Sequence, residues 1–285
     1  MATATLPGAG GAPARANRER GALGRAAKVA VMAVAAFLTL GPVVWTLWTA
    51  LTPLDAGSGT RSLGLAAFAD VFAQVDMWLL VWNSALVTAL CAAGQMITAA
   101  MAGYVFATMA FRGKGVLFGL VLATMMVPMQ VTIVPVFLLV RGMGLADTLL
   151  ALIIPAIPTA FGTFLMRQYF LGLPHELGEA AALDGAGPFR TFFSVFAPLA
   201  APGLAIVGIL AFNYHWNEFF RPLIMLISEQ NFTLPLGLVT LQGNLGTGSV
   251  ATVLAGVVLS MIPALVVFVV GNKPLREGLT AGSNR

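Results

Sequence analysis

Three acids, Glu176, Glu179 and Asp184, fall within nine residues of a chain in which only 9% of residues are charged. Their segment, His175 to Pro188 (HELGEAAALDGAGP), opens as a zinc-protease helix does, with His followed directly by Glu. The likeness stops there. Glu179 occupies the position that needs a second His, and the only other His and Cys, His215 and Cys91, are too few for a zinc site. Lysine occurs at positions 28, 114 and 273, never before Ser or Thr, so no phosphate-cradling P-loop exists and the chain cannot hydrolyse ATP in that way. No G-x-S-x-G nucleophile elbow occurs either. With these enzyme signatures missing, a carrier or a channel remains.

The acidic segment reads instead as helix, turn and helix. Pro174 suits a first helical position, Glu176 and Glu179 complement the positive end of the dipole, and Ala180, Ala181, Ala182 and Leu183 favour helix. Asp184-Gly185 stops it, with Gly185 able to take the left-handed conformation beyond a helix end. A second helix begins at Pro188 and runs through Phe189, Phe192, Phe193 and Phe196 toward Pro198. A helix lying on a membrane surface ordinarily carries Lys or Arg on its polar face, whereas this one carries acids, which suits a protein partner better than anionic lipid.

The elements that must position this segment are set by composition. A chain of 285 residues with 59% hydrophobic residues and a mean hydropathy of +0.91 has too little polar surface to cover a soluble globule. Apolar runs of about 20 residues suffice to cross a bilayer as helix. Six occur, at 28–51, 79–104, 115–139, 147–166, 203–226 and 249–271, and several contain Pro, which predicts kinks. The alternation of a membrane β-barrel is absent, so the fold class is all-α. With a cytoplasmic N-terminus, the inner segments hold twelve Lys and Arg, and the outer ones three: Arg61, Arg141 and Arg221. That bias predicts both termini inside. Residues 1–27, rich in Ala, Gly and Arg, read as a disordered cytoplasmic tail, 52–78 as an external segment, 79–271 as the core and 272–285 as a second cytoplasmic tail.

Glu179-Ala180-Ala181, three residues, Gly185, nine residues, Val195, one residue, Ala197-Pro198 resembles the EAA signature of permease subunits in binding-protein-dependent ABC importers. Val195 and Ala197 replace the usual Ile and Leu. "MVPMQVTIVPVFLL" (126–139), "GLADTLLALIIP" (144–155), "WNEFFRPL" (216–223) and "TLPLGL" (233–238) make it similar to the carbohydrate-uptake branch, the maltose-type second permease, over roughly residues 28–282. The resemblance leads to the expectation of a hydrophobic or basic extension after "GLTAG" (278–282), and the residues there, Ser283-Asn284-Arg285, depart from it.

The resemblance implies the type I importer fold with six transmembrane helices and an EAA loop, 167–202, whose coupling helices dock on a cytoplasmic ATPase. Glu179, Ala180, Ala181, Asp184, Gly185 and Pro198 would carry that contact. It implies a second, homologous permease, two ATPase copies holding ATP and Mg, and an external solute-binding protein, with no cofactor, metal or nucleic acid on this chain and a place in a bacterial or archaeal inner membrane. The cargo implied is a sugar or polyol, or a small polar solute such as a glycerol-phosphate-like ester.

Polar residues within spans are candidates for the pathway, since uncompensated polar groups in lipid are costly. Asn83, Ser84, Gln130, Asn213, Tyr214 and Asn217 are taken for it, with Gln95 and His215 beside them and helix-to-helix hydrogen bonding as the alternative for each. Glu218 and Arg221, three apart and about 23 Å along the fifth span, read as a structural ion pair rather than a proton relay. An ion-coupled carrier would need ionisable groups deep in the bundle, and a scaffolding protein would not need the acidic loop.

Overall fold

The computed structural model describes residues 13–54, 60–174, 176–243 and 248–281. Among the described residues the one β contact is an isolated antiparallel bridge between Leu54 and Arg61, so the all-α reading holds. Three helices are long and apolar enough to cross a membrane unaided: residues 28–51 of α1 (Pro13–Leu51), α3 (Met77–Thr108) and residues 250–269 of α14 (Val250–Ala281). Three bent pairs raise the number of spans to six when each counts as one. α4 (Lys114–Thr124) meets α5 (Met129–Gly142) at 98°. α6 (Leu150–Ile153), prolonged by a tight turn to Ala156, meets α7 (Ala160–Leu171) at 40°. The helical stretch Pro188–Leu199 meets α11 (Ala201–Trp216) at 74°.

Proline and capping chemistry account for the breaks. Pro128 precedes α5 with extended backbone, φ −62° and ψ 137°; its ring disfavours helix in Val127 before it and it has no N–H to donate, so the break falls here. Past Pro158, the Thr159 hydroxyl accepts from Gly162 N–H at 3.1 Å and restarts the helix as an N-cap. The run 115–139 is therefore two helices at nearly a right angle instead of a kinked rod. The run 203–226 is also divided: α11 ends at Trp216, and α12 (Phe220–Met225) follows a three-residue interruption. α1 begins at Pro13, inside the segment read as disordered, where eleven of residues 13–27 are Ala, Arg, Glu or Leu and the stretch is continuous with the apolar run. Residues 1–12, 55–59 and 282–285 lie outside the described residues, and α14 carries the backbone of 272–281 as helix.

α3 is the central post, packed on α7 and α11, while α14 packs on α11, α1 and the short α2 (Ala66–Gln74). Small residues set the α3–α7 distance. A Cβ placed on Gly103 would lie 2.6 Å from Met166 Cβ and 2.8 Å from Arg167 N, so the two backbones meet where no side chain fits. Lys114 Nζ donates to Ala107 O at 3.3 Å and Met109 O at 2.9 Å, placing a cation on the carbonyl end of α3. Arg167 Nε donates to Phe106 O at 3.0 Å, and its guanidinium stands 4.4 Å from the centre of the Phe118 ring, tying α3, α4 and α7 together at one end of the bundle.

Candidate functional site

At that same end the chain leaves α7 and forms the acidic loop. α8 (Glu176–Leu183) is a regular helix, and His175 before it lies outside the described residues. Gly185 adopts φ +71°. Around it Ala186 N–H donates to Ala181 O at 2.9 Å and Gly185 N–H to Ala182 O at 3.0 Å, the paired bonds of a Schellman closure. α9 (Pro188–Thr191) starts on Pro188, as the sequence predicts, and widens into a π-turn over Phe192–Phe196 before α10 (Ala197–Leu199). In the wide turn Ala197 N–H reaches back to Phe192 O, and Pro198, which has no N–H, follows it directly.

The loop is seated on an aromatic cluster. Tyr104 of α3 stands 5.1 Å from Phe192, 5.2 Å from Phe196 and 5.9 Å from Phe170, centroid to centroid, and all four rings are buried. Leu177, Gly178 and Ala181, spaced as one helical face, turn toward this seat. The opposite face is exposed: Glu176, Glu179, Ala180 and Leu183, with Asp184 and Gly185 at its end. Of the EAA residues, then, Glu179 and Ala180 point outward and Ala181 points in. Leu183 is 90% exposed, on the face of α8 opposite Leu177 and Ala181, and Phe189 of α9 is 76% exposed at the rim of a hollow shared with Met101 and Tyr104 of α3 and with Met109 just past its end. Sequence reasoning missed both as functional residues, although helical spacing places Leu183 opposite Leu177 and Ala181. Between the loop and the ends of α3 and α7 lies an open cleft of about 600 Å³, lined among others by Thr108, Met109, Pro174, Glu179 and Thr191.

The residues taken for a pathway divide into two groups. Asn83 is buried, and its Nδ2 donates to Gln230 O at 2.9 Å and Phe232 O at 3.0 Å. Ser84 is buried as well, and its hydroxyl accepts from Leu234 N–H at 2.6 Å, capping α13 (Leu234–Thr240). Both pin α3 to a distant segment, as the hydrogen-bonding alternative expects. Gln130, Asn213, Tyr214 and Asn217 are exposed. Tyr214 Oη donates to Met129 Sδ at 3.4 Å, and Asn217 Nδ2 to Asn213 O at 2.8 Å, so these four line one edge where the start of α5 meets the end of α11. Gln95, His215, Glu218 and Arg221 turn inward and bond to one another, with Glu218 in the interruption between α11 and α12 rather than on a helix.

At the end of the bundle away from the acidic loop, Asp147 (φ +57°) accepts from Ile227 N–H at 2.8 Å, Ser228 N–H at 2.9 Å and the Ser228 hydroxyl at 2.5 Å. The Ser228 hydroxyl, then the two backbone amides, hold its carboxyl well below the usual carboxylate range. Among the described residues no three His, Cys, Asp or Glu side chains converge as metal ligands.

A family model described as the inner membrane component of binding-protein-dependent transport systems matches residues 99–273, from the middle of α3 through the acidic loop and into α14. The arabinooligosaccharides transport system permease protein AraQ of Halalkalibacterium halodurans is 35% identical over 222 residues, 78% of this chain and 79% of that protein. The lactose transport system permease protein LacG of Rhizobium radiobacter is 31% identical over 253 residues, 87% and 92%. The sn-glycerol-3-phosphate transport system permease protein UgpE of Salmonella typhimurium is 30% identical over 210 residues, 72% and 74%. A chain from the crystal structure of a bacterial ABC transporter involved in the import of the acidic polysaccharide alginate superposes with a TM-score of 0.78 at 24% identity, covering 92% of this chain and 98% of its own, a likeness of fold. By the family match and by relatives spanning most of its length, the chain belongs to the binding-protein-dependent transport inner membrane components: it is a multi-pass permease subunit of an ABC importer and not itself an enzyme.

Proposed function

We propose that the chain forms half of the gate of an ATP-driven importer for a sugar or polyol, in complex with a second, homologous permease, two copies of a cytoplasmic ABC ATPase that bind ATP and Mg, and an external solute-binding protein. The acidic loop faces the cytosol, with both termini, and is the ATPase contact. Glu179, Ala180, Asp184 and Gly185 meet the ATPase, while the buried Ala181 and the exposed Pro198 hold the loop's shape. The observation that carries this reading is the loop's two-sidedness: an aromatic seat on the protein side, and acids with the bare apolar side chain of Leu183 on the other, Phe189 of α9 being exposed as well. Exposed apolar groups rimmed by charge mark protein contact surfaces.

Gln130, Asn213, Tyr214 and Asn217 form this chain's share of the pathway. They offer amide and phenol groups without net charge, which supports a neutral polyhydroxyl cargo, as do the relatives named for arabinooligosaccharides and lactose. The relative named for sn-glycerol-3-phosphate supports a phosphate ester as the second reading.

The test is uptake by proteoliposomes holding the four-part complex, offered radiolabelled lactose, arabinotriose or sn-glycerol 3-phosphate. Transport of a sugar that requires ATP and the binding protein, and ignores imposed ion gradients, is expected. Uptake driven by an ion gradient without ATP would overturn the importer reading, and uptake of the phosphate ester alone would move the cargo to the second.

A further inference from the structure

The inward-turned group on the fifth span joins two breaks in the bundle. Glu218 lies in the interruption between α11 and α12, with His215 three residues before it and Arg221 three after, and all three are buried. Arg221 donates through Nε to Glu218 Oε1 at 2.8 Å and through Nη2 to Oε2 at 2.5 Å, a two-pronged pair. His215 Nδ1 stands 3.1 Å from the same Oε2, and its Nε2 stands 3.0 Å from Gln95 Nε2 on α3. Gln95 Nε2 also donates to Ala156 O at 2.8 Å, the carbonyl just before the α6–α7 bend. One assignment of protons satisfies Gln95, His215 and Glu218: the Gln95 amide donates to Ala156 O and His215 Nε2, and His215 donates from Nδ1 to Glu218, while Arg221 Nη2, 3.3 Å from that same Nδ1, gives its proton to Glu218 instead. Thr98, one turn along α3, adds a bond to Ile157 O at 2.9 Å.

The chain of contacts thus runs from the break in the fifth span, through α3, to the break in the fourth. These are the two spans that the acidic loop connects at the other end of the bundle, about 18 Å away along α7 and about 24 Å along α11 at 1.5 Å per residue. At the near end they are joined by the loop and its aromatic seat, and at the far end by this polar bridge. Two helices fixed to each other at both ends move together, and with the bridge cut only packing, chiefly on α3, holds the far ends in register. The exposed edge of Asn213, Tyr214 and Asn217 lies on the same turns as His215 and Glu218, so whatever orients the interruption orients the edge.

We propose that Gln95, His215, Glu218 and Arg221 are positioning residues that make the fourth and fifth spans one body, so that a displacement of the acidic loop reaches the pathway edge. As a transmission element this rests on the reading of the loop as the ATPase contact. As a strut it stands alone.

Both halves are testable in the assembled complex in lipid nanodiscs. Spin labels at Gln168→Cys on α7 and Ile227→Cys beyond α12, both exposed in this chain, report the distance between loop end and far end, and the native Cys91 is buried. The native complex is expected to keep this distance unchanged between the nucleotide-free and the ADP-vanadate-trapped states. Gln95→Met, close in volume but unable to bridge, and His215→Phe are expected to assemble and to keep basal ATP hydrolysis. They should broaden the distance on trapping and lower hydrolysis stimulated by the binding protein by about fivefold or more, the lower end of measured couplings between sites. His215→Gln, which can accept from Gln95 and donate to Glu218, should restore much of both. Native distances and native stimulation in Gln95→Met and His215→Phe would overturn the proposal. So would failure of all three variants, His215→Gln included, to assemble, since the network would then serve folding alone. A Gly185→Val complex run beside them separates the two readings: native stimulation there with a broadened distance in Gln95→Met would sink the loop as the contact and leave the strut standing.

Discussion

Replacing Gly185 tests the loop through one backbone angle. Its φ of +71° is open to glycine, while an L-residue pays roughly 1–2 kcal/mol there, with β-branched side chains the least tolerant. A Cβ on Gly185 meets no atom of this chain within 4 Å, so the isolated subunit charges nothing for bulk and the backbone term stands alone. A shift of that size changes the ratio of closed to open loop by roughly 5–30-fold, and with it the bonds from Ala186 and Gly185 back to α8. Asn tolerates the left-handed region better than Ala, and Ala better than Val, so a backbone cause predicts activity in the order Gly, Asn, Ala, Val. The assay is coupled uptake and binding-protein-stimulated ATP hydrolysis in proteoliposomes with equal amounts of each complex, after confirming insertion. Normal uptake by a properly inserted Gly185→Val complex would refute the role of the loop's geometry. Asn as damaging as Val would refute the backbone account and point to a docked surface lying too close to Gly185 for any side chain.

Other outcomes follow from equally local features. Leu183→Asp and Phe189→Asp, on side chains 90% and 76% exposed, should leave the thermal unfolding of the isolated subunit unchanged while lowering the amount of ATPase that co-purifies with it; unchanged co-purification would remove both from the contact. Gly103→Val places a branched side chain where even a Cβ lies 2.6 Å from Met166, so stability in detergent should fall by at least the roughly 1–3 kcal/mol typical of overpacking, read as a lower midpoint of thermal aggregation. Because Asp147 has a carboxyl depressed in the folded state, its hold on Ile227 and Ser228 is complete above its unfolded value of about 4 and lost only as pH falls through the lower folded value. Protease resistance of the 226–232 loop should thus be flat from neutral pH to about 4.5, and Asp147→Ala should lose it at every pH. Reporters fused after Lys114 or Arg190 should read cytoplasmic and those within 60–75 external, and an external reading at Arg190 would end the ATPase-contact proposal.

What could be read from the sequence tracks the range of the interactions. The loop was legible because its closure is made within six residues: a dipole-matched start, four helix formers, Asp184-Gly185 and a proline restart each signal locally, and the bonds of Ala186 and Gly185 span five and three positions. Span existence was legible from run length alone. The breaks were not, because proline does not dictate its own consequence. Pro42 lies inside α1, Pro135 inside α5 and Pro263 inside α14 without ending them, whereas Pro128 stands at a turn of 98°. Tertiary contacts decide which proline bends a helix into a corner and which is absorbed.

The same distinction separates the two groups of polar residues. Asn83 and Asn217 are one residue type, each on or beside an apolar helix, and neither neighbourhood announces which of them is buried. Asn83 finds its acceptors 147 and 149 positions away, at Gln230 and Phe232, so its burial is a property of the folded bundle and invisible beforehand. Asn217 bonds four positions back along its own helix, a bond that needs no partner element and leaves the rest of its amide facing outward. In a membrane bundle a buried or half-buried polar side chain that reaches across the fold is committed to holding it, and one that stays exposed remains available. By that criterion Gln95 and His215, whose partners lie 61 and 120 positions off, belong to the frame, while Asn213 and Asn217 belong to the surface the frame holds in place.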